Sequence, residues 1–270
     1  MCALCIHVFI IGWEGKLDGA RAIADALVGK VDRVTVVYSN AAENDVDGPG
    51  EWIRVPNADF FGRKFRRCLD LFLGDIFLLI HADTDFSDWP ALVRRCAEGF
   101  AAVPELGVWS PDFTYTPWTT ATVNIRPVDR LAGLVSVAQT DGIIFAMPAS
   151  VIARLRHLDY DDNNMGWGID FAAIAYARIT GMLVCRDTTL TVTHQTSRGY
   201  SGGEAIEQMQ RFYTQLTDAE RDQEHLLSTY VILRNREQLG MRGRMISALR
   251  RYLRRLPGRR RTWRPPASRA

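Results

Sequence analysis

The chain has 270 residues, of which 47% are hydrophobic and 24% are charged, and its formal net charge is +2. This length and composition are typical of a globular protein with one large domain or two small ones, and they exclude a disordered chain. The charge is unevenly placed, because residues 234–270 hold thirteen arginines and a single acid, Glu237. Basic charge is therefore a property of the C-terminal tail, and the body before it is acidic.

Alternating strands and helices are predicted over the first hundred residues. Short β-branched or apolar runs predict strands, and apolar residues at helical spacing predict helices. Strands are expected at 6–11, 31–38, 52–55 and 76–80, and helices at 18–29 (with Asp18 as its N-cap), 60–73 and 89–103. Strands that alternate with helices at this spacing indicate a parallel sheet.

The second half of the body has a less regular pattern. Residues 110–129 are rich in Thr and Pro and are expected to be irregular. Further along, the sequence predicts a strand pair at 134–137 and 142–147, a short helix at 148–155, a polar loop at 157–168, a helix at 170–180 and a last strand at 183–192 that ends at His194. We expect one domain over 1–217, followed by C-terminal helices and the basic tail over 218–270.

The cysteines and the hydropathy bear on location. The five cysteines are odd in number and lie mostly among apolar residues, without the spacing of a disulfide framework or a zinc site. This favours a reducing, cytoplasmic location. The start of the chain lacks the positive region of a signal peptide, and no stretch reaches about eighteen apolar residues. Neither a signal peptide nor a transmembrane helix is expected.

The stretch LLIHADTD, residues 78–85, carries the first sign of chemistry. An apolar strand ends abruptly in His81, Asp83 and Asp85. At the carboxyl end of a parallel strand these groups would face the crevice where α/β sheets bind ligands. Carboxylate oxygens there can hold Mg²⁺ or Mn²⁺ against a diphosphate. The alternative is an acidic turn that caps the helix beginning near Trp89.

Three segments, taken in order, resemble the GT-A glycosyltransferases and especially glycosyltransferase family 2. Residues 57–86 combine a glycine and a basic residue at a helix start, a Gly-Asp, an apolar strand and the acidic stretch. Residues 139–155 are similar to the strand and helix beside the acceptor pocket of that family. Residues 166–194 are similar to its acidic helix start and later Val-x-His, and their Gly-Trp-Gly is similar to that of β-1,4-galactosyltransferases and polypeptide N-acetylgalactosaminyltransferases. The likeness covers roughly residues 5–200.

The resemblance implies an α/β, Rossmann-like GT-A domain with a mixed, mainly parallel sheet, followed by the helical basic tail. It implies that Mn²⁺ or Mg²⁺ and a nucleotide-diphosphate sugar, with a UDP-sugar favoured, bind at the strand ends. The family usually has Asp-x-Asp directly after the strand, whereas this chain has His81-Ala82-Asp83. Asp83 is the first choice as metal ligand, Asp85 is the second and His194 supplies another, while His81 would contact the nucleotide or pack.

The resemblance also implies the remaining site residues. Asp170 would be the general base of an inverting transfer, although an aspartate at a helix start is more often a simple cap. Trp167 and Gly168 would contact a sugar, and Asp141 and Gly142 would shape the donor-sugar or acceptor pocket. The nucleotide would be met by Trp13, Glu14, Ser39, Asn40, Arg63 with its neighbour Lys64, and Arg198.

The expected function is metal-dependent, inverting glycosyl transfer to a glycan or lipid-linked acceptor in cell-surface polysaccharide synthesis. The alternatives are a retaining transferase of the same fold, a sugar-nucleotide pyrophosphorylase and a non-catalytic binding module. Residues 241–264 predict a basic amphipathic helix on an anionic membrane surface, which would make the protein peripheral on the inner face of the plasma membrane. Nucleic acid is not an expected partner, since no aromatic platform accompanies the arginines. A merely solvated tail is the alternative.

Overall fold

A ten-stranded sheet lies between two layers of helices in the computed structural model, which describes residues 4–194, 202–238 and 240. The strands are β1 (Ile6–Gly12), β2 (Arg33–Tyr38), β3 (Glu51–Arg54), β4 (Ile76–His81), β5 (Thr84–Asp85), β6 (Leu106–Phe113), β7 (Asn124–Pro127), β8 (Leu134–Val137), β9 (Ile144–Pro148) and β10 (Leu183–His194). The helices are α1 (Leu17–Leu27), α2 (Phe61–Leu71), α3 (Trp89–Ala102), α4 (Thr120–Val123), α5 (Ala149–Leu155), α6 (Ile169–Ile179), α7 (Gly202–Tyr213) and α8 (Asp218–Gln238).

The strand order is β3-β2-β1-β4-β9-β6-β10-β8-β7, and β5 pairs with β10 outside this path. The strands β3, β2, β1 and β4 are parallel, whereas β9 is antiparallel to both of its neighbours. The strands β6 and β10 are again parallel, and β8 and β7 add an antiparallel edge. The predicted α/β fold with a mixed central sheet is confirmed, and helices follow its last strand.

The core forms on both faces of the sheet because the strand side chains alternate between them. Val8 and Ile10 of β1 are buried in one apolar cluster with residues of α1 and α3. Phe9 and Ile11 are buried in a second cluster with residues of α2, α5 and α6. Strands covered on both faces read as continuous apolar runs, which is why the pattern of β1 and β4 was recognisable.

Several predicted elements differ from the observed ones. The helix α1 begins at Leu17 after Lys16, so Asp18 lies in its first turn and is not the N-cap. The predicted pairing of 134–137 with 142–147 is wrong: β8 pairs with β7 and β10, while β9 pairs with β4 and β6. Residues Ile144 to Met147 are all buried, and this suits an interior strand better than one arm of a hairpin.

The region 110–129, which the sequence predicts to be irregular, contains most of its residues in regular structure. The strand β6 runs through Pro111 to Phe113, and α4 and β7 follow. A proline cannot donate a ladder hydrogen bond, but Pro111 lies opposite Asp187, where the register of β10 is interrupted. The break in β10 therefore accommodates the proline.

The chain divides into two compact units, residues 1–231 and 232–270. In the first unit, the middle of α8 is bonded to the sheet region: Gln139 Nε2 donates to Ser228 Oγ at 3.2 Å and Tyr230 Oη donates to Asn124 O at 2.6 Å. In the second unit, the structure describes the end of α8, where Arg234 and Glu237 form an ion pair at 3.3 Å. The boundary after residue 217 stays a prediction, and the predicted tail helix at 241–264 lies outside the described residues.

Two further findings concern the hydropathy of the helices and the state of the cysteines. Within the described ranges, no helix is both long enough and apolar enough to cross a membrane. Cys5, Cys68, Cys96 and Cys185 are free thiols.

Candidate active site

The carboxyl ends of three parallel strands meet at one edge of the sheet. Ile11 of β1 lies opposite His81 of β4, and Gly12 lies opposite Tyr38 of β2. The residues that follow these strands are therefore neighbours, as the α/β topology requires. The backbone N–H of Ala82 donates to Ile11 O at 2.9 Å, which fixes the start of the acidic stretch against β1.

His81, Asp83 and His194 form a compact group, which we call the metal group. Each offers a ligand atom, and these atoms all lie within 4.8 Å of one another. His194 arrives from the far end of β10 because the short strand β5 pairs with that end, with Thr84 opposite His194. His194 Nε2 is hydrogen bonded to Asp83 Oδ2 at 3.2 Å. Two imidazoles and one carboxylate thus converge from elements 111 residues apart in sequence.

The metal group has the electronic character that a divalent cation needs. Burial lowers the pKa of His81 to about 4, so its imidazole is neutral and retains a lone pair at neutral pH. For Asp83 burial acts to raise the pKa, but the hydrogen bond with His194 and the neighbouring imidazoles outweigh it, and the net pKa is lowered. His81 Nε2 and Asp83 Oδ1 are both buried without a hydrogen-bond partner among the described residues. Buried polar atoms are rarely left unpaired, so these two atoms fit a bound cation.

Asp85, predicted as the second metal ligand, does not belong to the metal group. Its side chain is exposed, and it lies opposite Thr193 in the pairing of β5 with β10. Asp83 lies in the turn before β5 and Asp85 lies in β5 itself, so the two carboxylates of the Asp-x-Asp frame are held by different local structures. The sequence predicts that His81 either contacts the nucleotide or packs in the interior. In the structure, His81 is the third member of the metal group.

Lys64 is buried beside the metal group, at the junction of β1 and β2. Its Nζ donates to Gly12 O at 2.9 Å and to Ser39 Oγ at 2.8 Å, and it lies 5.9 Å from the centroid of the Trp13 ring. Trp13 in turn packs edge-on against His81, with 5.5 Å between ring centroids. Burial lowers the pKa of Lys64 to about 8, so the amine is still mostly protonated at neutral pH. The positively charged amine of Lys64 and the ring of Trp13 therefore lie beside the metal group.

The other residues predicted to meet a nucleotide have structural contacts. Glu14 is exposed and accepts the N–H of Ala41 at 2.7 Å, and the buried Asn40 is bonded to Asn44. Both shape the loop that follows β2. Arg198 lies outside the described residues and stays a prediction.

Arg63 does not face the metal group. It is exposed and bonded to Asp59 and Asp161. With Arg67 and Arg156 it lines an open groove of about 630 Å³ that none of the metal-group residues lines. The basic residue at the strand ends is thus its neighbour Lys64, because consecutive helical residues point about 100° apart.

Asp170 lies in the first turn of α6, which begins at Ile169 after a left-handed N-cap residue, Gly168, whose φ is 87°. The carboxylate lies beside Gly142, since a Cβ placed on that glycine would lie 3.4 Å from Asp170 Oδ2. Burial, and secondly the charge of Asp141, raise the pKa of Asp170 to about 7, while the backbone N–H groups of Phe171 and Asp170 act in the opposite direction. A simple capping carboxylate would have a lowered pKa.

One short segment, Asp141 to Ile143, connects Asp170 with the metal group. Gly142 lies next to the carboxylate, and the carbonyl of Ile143 accepts the N–H of His81 at 3.1 Å. The two groups that the sequence singled out independently are therefore on the same edge of the sheet and adjoin the same three residues.

Trp167 and Gly168 precede α6 in a tightly constrained loop. Asn163 Nδ2 donates to Trp167 O at 3.0 Å. A Cβ on Gly168 would lie 2.6 Å from Tyr213 Cε1, so only glycine fits there. The predicted contact of Trp167 and Gly168 with a sugar stays a prediction.

Three residues of this region escaped the sequence reasoning: Arg186, Trp118 and Tyr213. Arg186 is fully buried, and its Nη1 donates to Trp118 O at 2.6 Å and to Asp112 Oδ1 at 3.3 Å. The Trp118 ring packs edge-on against Phe171, with 5.9 Å between centroids, and so holds the residue next to Asp170. Arg186 could have been found from the sequence, because it is an arginine within the apolar pattern of the last predicted strand. The other two have no sequence signal that we recognise.

The comparisons with known proteins identify the fold. A scan against protein-family models finds no match, and a search of the curated proteins finds none. Among solved structures, GalNAc-T7 with UDP, GalNAc and Mn²⁺ is 12% identical with a TM-score of 0.55 and covers 82% of this chain and 49% of that chain. Glucosyl-3-phosphoglycerate synthase from Mycobacterium tuberculosis, with Mn²⁺, UDP-glucose and phosphoglyceric acid, is 14% identical with a TM-score of 0.54, covering 80% and 81%.

A third solved structure is the mannosyltransferase PcManGT from Pyrobaculum calidifontis with GDP-Man and Mn²⁺. It is 13% identical with a TM-score of 0.50 and covers 93% of this chain and 81% of that chain. At these identities the likeness shows the fold, which is the GT-A fold of these transferases, as the resemblance implied. The chain spans about half the length of the GalNAc-T7 chain.

Proposed function

We propose that this protein is a glycosyltransferase that moves a sugar from a nucleotide-diphosphate sugar to an acceptor hydroxyl. The observation that carries this proposal is the segment Asp141 to Ile143, which adjoins both the metal group and Asp170. Glycosyl transfer needs a group that stabilises a leaving diphosphate and a base for the acceptor hydroxyl, close to one another. The three neighbouring transferase structures contain Mn²⁺ and a UDP or GDP species, which supports this donor class.

The donor would bind at the ends of β1, β2 and β4. His81, Asp83 and His194 would hold Mn²⁺ or Mg²⁺, which neutralises the charge that develops on a leaving diphosphate. Lys64 supplies a fixed positive charge beside this position, and Trp13 offers a ring face or edge to the nucleotide. A UDP-sugar is the donor that we favour, and Arg198 would contact its phosphates.

Asp170 would accept the proton of the attacking hydroxyl. A base works best when its pKa lies near the working pH, and the pKa of Asp170 is raised to about 7. A base on the acceptor side implies direct displacement with inversion at the anomeric carbon. Asp141 and Gly142 would shape the pocket, and Trp167 would stack on a sugar in the manner of the Gly-Trp-Gly segment of β-1,4-galactosyltransferases.

A ligand screen followed by product analysis tests this proposal. Thermal unfolding is measured with UDP-, GDP-, CDP- and dTDP-sugars, each with and without Mn²⁺, because a ligand at 100 times its Kd stabilises the native state by about 2.7 kcal/mol. One donor class should raise the midpoint only when the metal is present. Release of the nucleoside diphosphate then measures turnover, and NMR of the product distinguishes inversion from retention.

Asp170→Asn separates the proposed enzyme from a non-catalytic module of the same fold. Turnover should fall by at least about a hundredfold, which is the range of general acid–base catalysis, while nucleotide affinity survives. Asp162→Asn, a change of an exposed aspartate in the preceding loop, is the matched control and should leave both unchanged. Near-normal turnover in Asp170→Asn, or a product of retained configuration, would exclude Asp170 as the base. Formation of a sugar nucleotide from a nucleoside triphosphate would favour the pyrophosphorylase alternative.

A finer part of the proposal concerns the acceptor and the location. A basic amphipathic tail at residues 241–264 would suit a lipid-linked acceptor, membrane association and a role in cell-surface polysaccharide synthesis. The full chain should float with liposomes that contain anionic lipid, and a chain that ends at Leu239 should not. Equal flotation of the two chains would contradict the membrane role without bearing on the catalytic proposal.

A further inference from the structure

We propose, building on the proposed function, that His81, Asp83 and His194 form a site for a divalent transition-metal ion that discriminates against Mg²⁺, with His81 as a direct ligand. The sequence left the ion open between Mn²⁺ and Mg²⁺ and gave the second ligand position to Asp85. The residues of the metal group favour a transition-metal ion over Mg²⁺, and they favour His81 over Asp85 as the ligand.

The geometry supports His81 as a ligand. Bonds of about 2.1 Å place adjacent ligand atoms about 3 to 3.5 Å apart, and the 3.2 Å between His194 Nε2 and Asp83 Oδ2 fits this spacing. The ligand atom of His81 lies within 4.8 Å of the other two. His81 Nε2 and Asp83 Oδ1 are buried and unpaired within the described part of the chain, so a cation would satisfy atoms that otherwise carry a desolvation cost.

The surroundings of His81 fix its ring in this position. Phe61 and Trp13 pack against the imidazole, with centroid distances of 4.8 Å and 5.5 Å. The backbone N–H of His81 is bonded to Ile143 O. A ring held by packing on two sides loses little further freedom when it binds an ion, and this preorganisation favours a ligand role over a mobile nucleotide contact.

The donor set determines the preferred ion. Mg²⁺ prefers oxygen ligands in a near-ideal octahedron, whereas imidazole nitrogen suits later first-row ions. Two imidazoles and one carboxylate supply a single negative charge, and this is less than a pair of carboxylates would give to a hard cation. Along the first row the affinity of such a site rises from Mn²⁺ to Co²⁺. The expected order is therefore Mg²⁺ below Mn²⁺, and Mn²⁺ below Co²⁺.

Direct metal binding tests the proposal without any activity measurement. Calorimetric titrations of the full-length protein with MgCl₂, MnCl₂ and CoCl₂, each with and without UDP, should give a Kd at least tenfold higher for Mg²⁺ than for Mn²⁺. Pulsed EPR of the Mn²⁺ complex should show coupling to nitrogen from two imidazoles. Equal affinity for Mg²⁺ and Mn²⁺, absence of nitrogen coupling, or no binding of any of the three ions would overturn the proposal.

Substitutions distinguish the two candidate ligands. His81→Ala should weaken Mn²⁺ binding at least tenfold and remove one nitrogen coupling, and His81→Asp should narrow the difference between Mn²⁺ and Mg²⁺. Asp85→Ala is the control and should leave both the affinity and the EPR spectrum unchanged. Loss of binding in Asp85→Ala with retention in His81→Ala would refute the assignment. The nitrogen coupling of the wild-type protein decides the question even if a variant does not fold.

The proposal and the proposed function can fail separately. A protein that binds Mn²⁺ with two nitrogen ligands but turns over no nucleotide sugar retains the metal assignment and loses the glycosyl-transfer assignment. A protein that turns over a nucleotide sugar as fast with Mg²⁺ as with Mn²⁺, and shows no nitrogen coupling, retains the glycosyl-transfer assignment and loses the metal assignment.

Discussion

Asp170→Asn is expected to increase the stability of the folded protein at pH 8, although it removes the proposed base. The pKa of Asp170 rises from an ordinary 3.8 to about 7, because burial and then Asp141 disfavour its charge. A difference of one in pKa corresponds to about 1.36 kcal/mol, so the ionised carboxylate lowers the free energy of unfolding by up to about 4 kcal/mol. Asparagine has nearly the same shape and carries no charge.

The size of this stabilisation depends on pH in a defined way. Below about pH 4 the carboxyl group is protonated in both the folded and the unfolded chain, and the substitution should have little effect on the free energy of unfolding. Between pH 4 and 7 the unfolded chain loses the proton while the folded chain keeps it, so wild-type stability falls as the pH rises. Above pH 7 the full penalty is present. Because part of Asp170 is exposed to solvent, we expect a gain of about 1 to 4 kcal/mol at pH 8.

Urea denaturation at several pH values between 4.5 and 8.5 measures this difference. The gain of Asp170→Asn over wild type should grow as the pH rises and level off above pH 7, with unchanged m-values. Asp162→Asn removes an exposed charge in the preceding loop and should show no such trend. A gain that is independent of pH, or a loss of stability at pH 8, would show that the carboxylate of Asp170 is not held in an unfavourable environment.

Three further predictions concern the surroundings of this site. Arg186→Met should lower the free energy of unfolding by about 1 to 2 kcal/mol in urea denaturation, because Trp118 O, Thr120 Oγ1 and the partly exposed Asp112 lose their donor, although Arg186 Nε and Nη2, buried without a partner among the described residues, are removed as well; an unchanged midpoint would contradict this. Gly62→Ala places a Cβ 1.8 Å from a backbone oxygen and should lower the melting temperature strongly, whereas Gly202→Ala, with nothing within 4 Å, should leave it unchanged or slightly higher. Asp141→Asn should move the acid limb of the pH–rate profile to lower pH, since Asp141 contributes to the raised pKa of Asp170; a limb that stays in place would exclude this coupling.

The strands β1, β2 and β4 could be predicted because each is a run of consecutive, mainly apolar residues that are buried. Ile76 to Ile80 is a continuous apolar run, and its abrupt end marks the position of the site. The antiparallel insertion of β9 between β4 and β6 could not be predicted in this way. Its four buried residues fit any interior position, and the partner of a strand is decided by the packing of the whole sheet.

The choice between candidate ligands lay beyond the sequence for a related reason. Asp83 belongs to both possible frames, and only the pairing of Thr84 with His194 shows which of its neighbours faces the second imidazole. The choice between two basic residues of α2 as the one at the strand ends also required the structure. Arg63 and Lys64 are adjacent in sequence, and the bond of Lys64 to Ser39 depends on the approach of α2 to β2, which the sequence does not show.

The candidate site concentrates features that do not stabilise the fold. A carboxylate with a raised pKa, a buried lysine with a lowered pKa and two unpaired buried atoms in the metal group all lie along the same ends of β1, β2 and β4 or beside the segment that leads into β9. Any one of them could be tolerated as a local imperfection of packing. These groups occur together where an α/β sheet binds ligands. This arrangement is expected if the metal group binds a cation, Lys64 stabilises a diphosphate and Asp170 accepts a proton. Binding of a metal ion and nucleotide should therefore stabilise the native protein, because both ligands would compensate groups that the fold alone leaves in unfavourable surroundings.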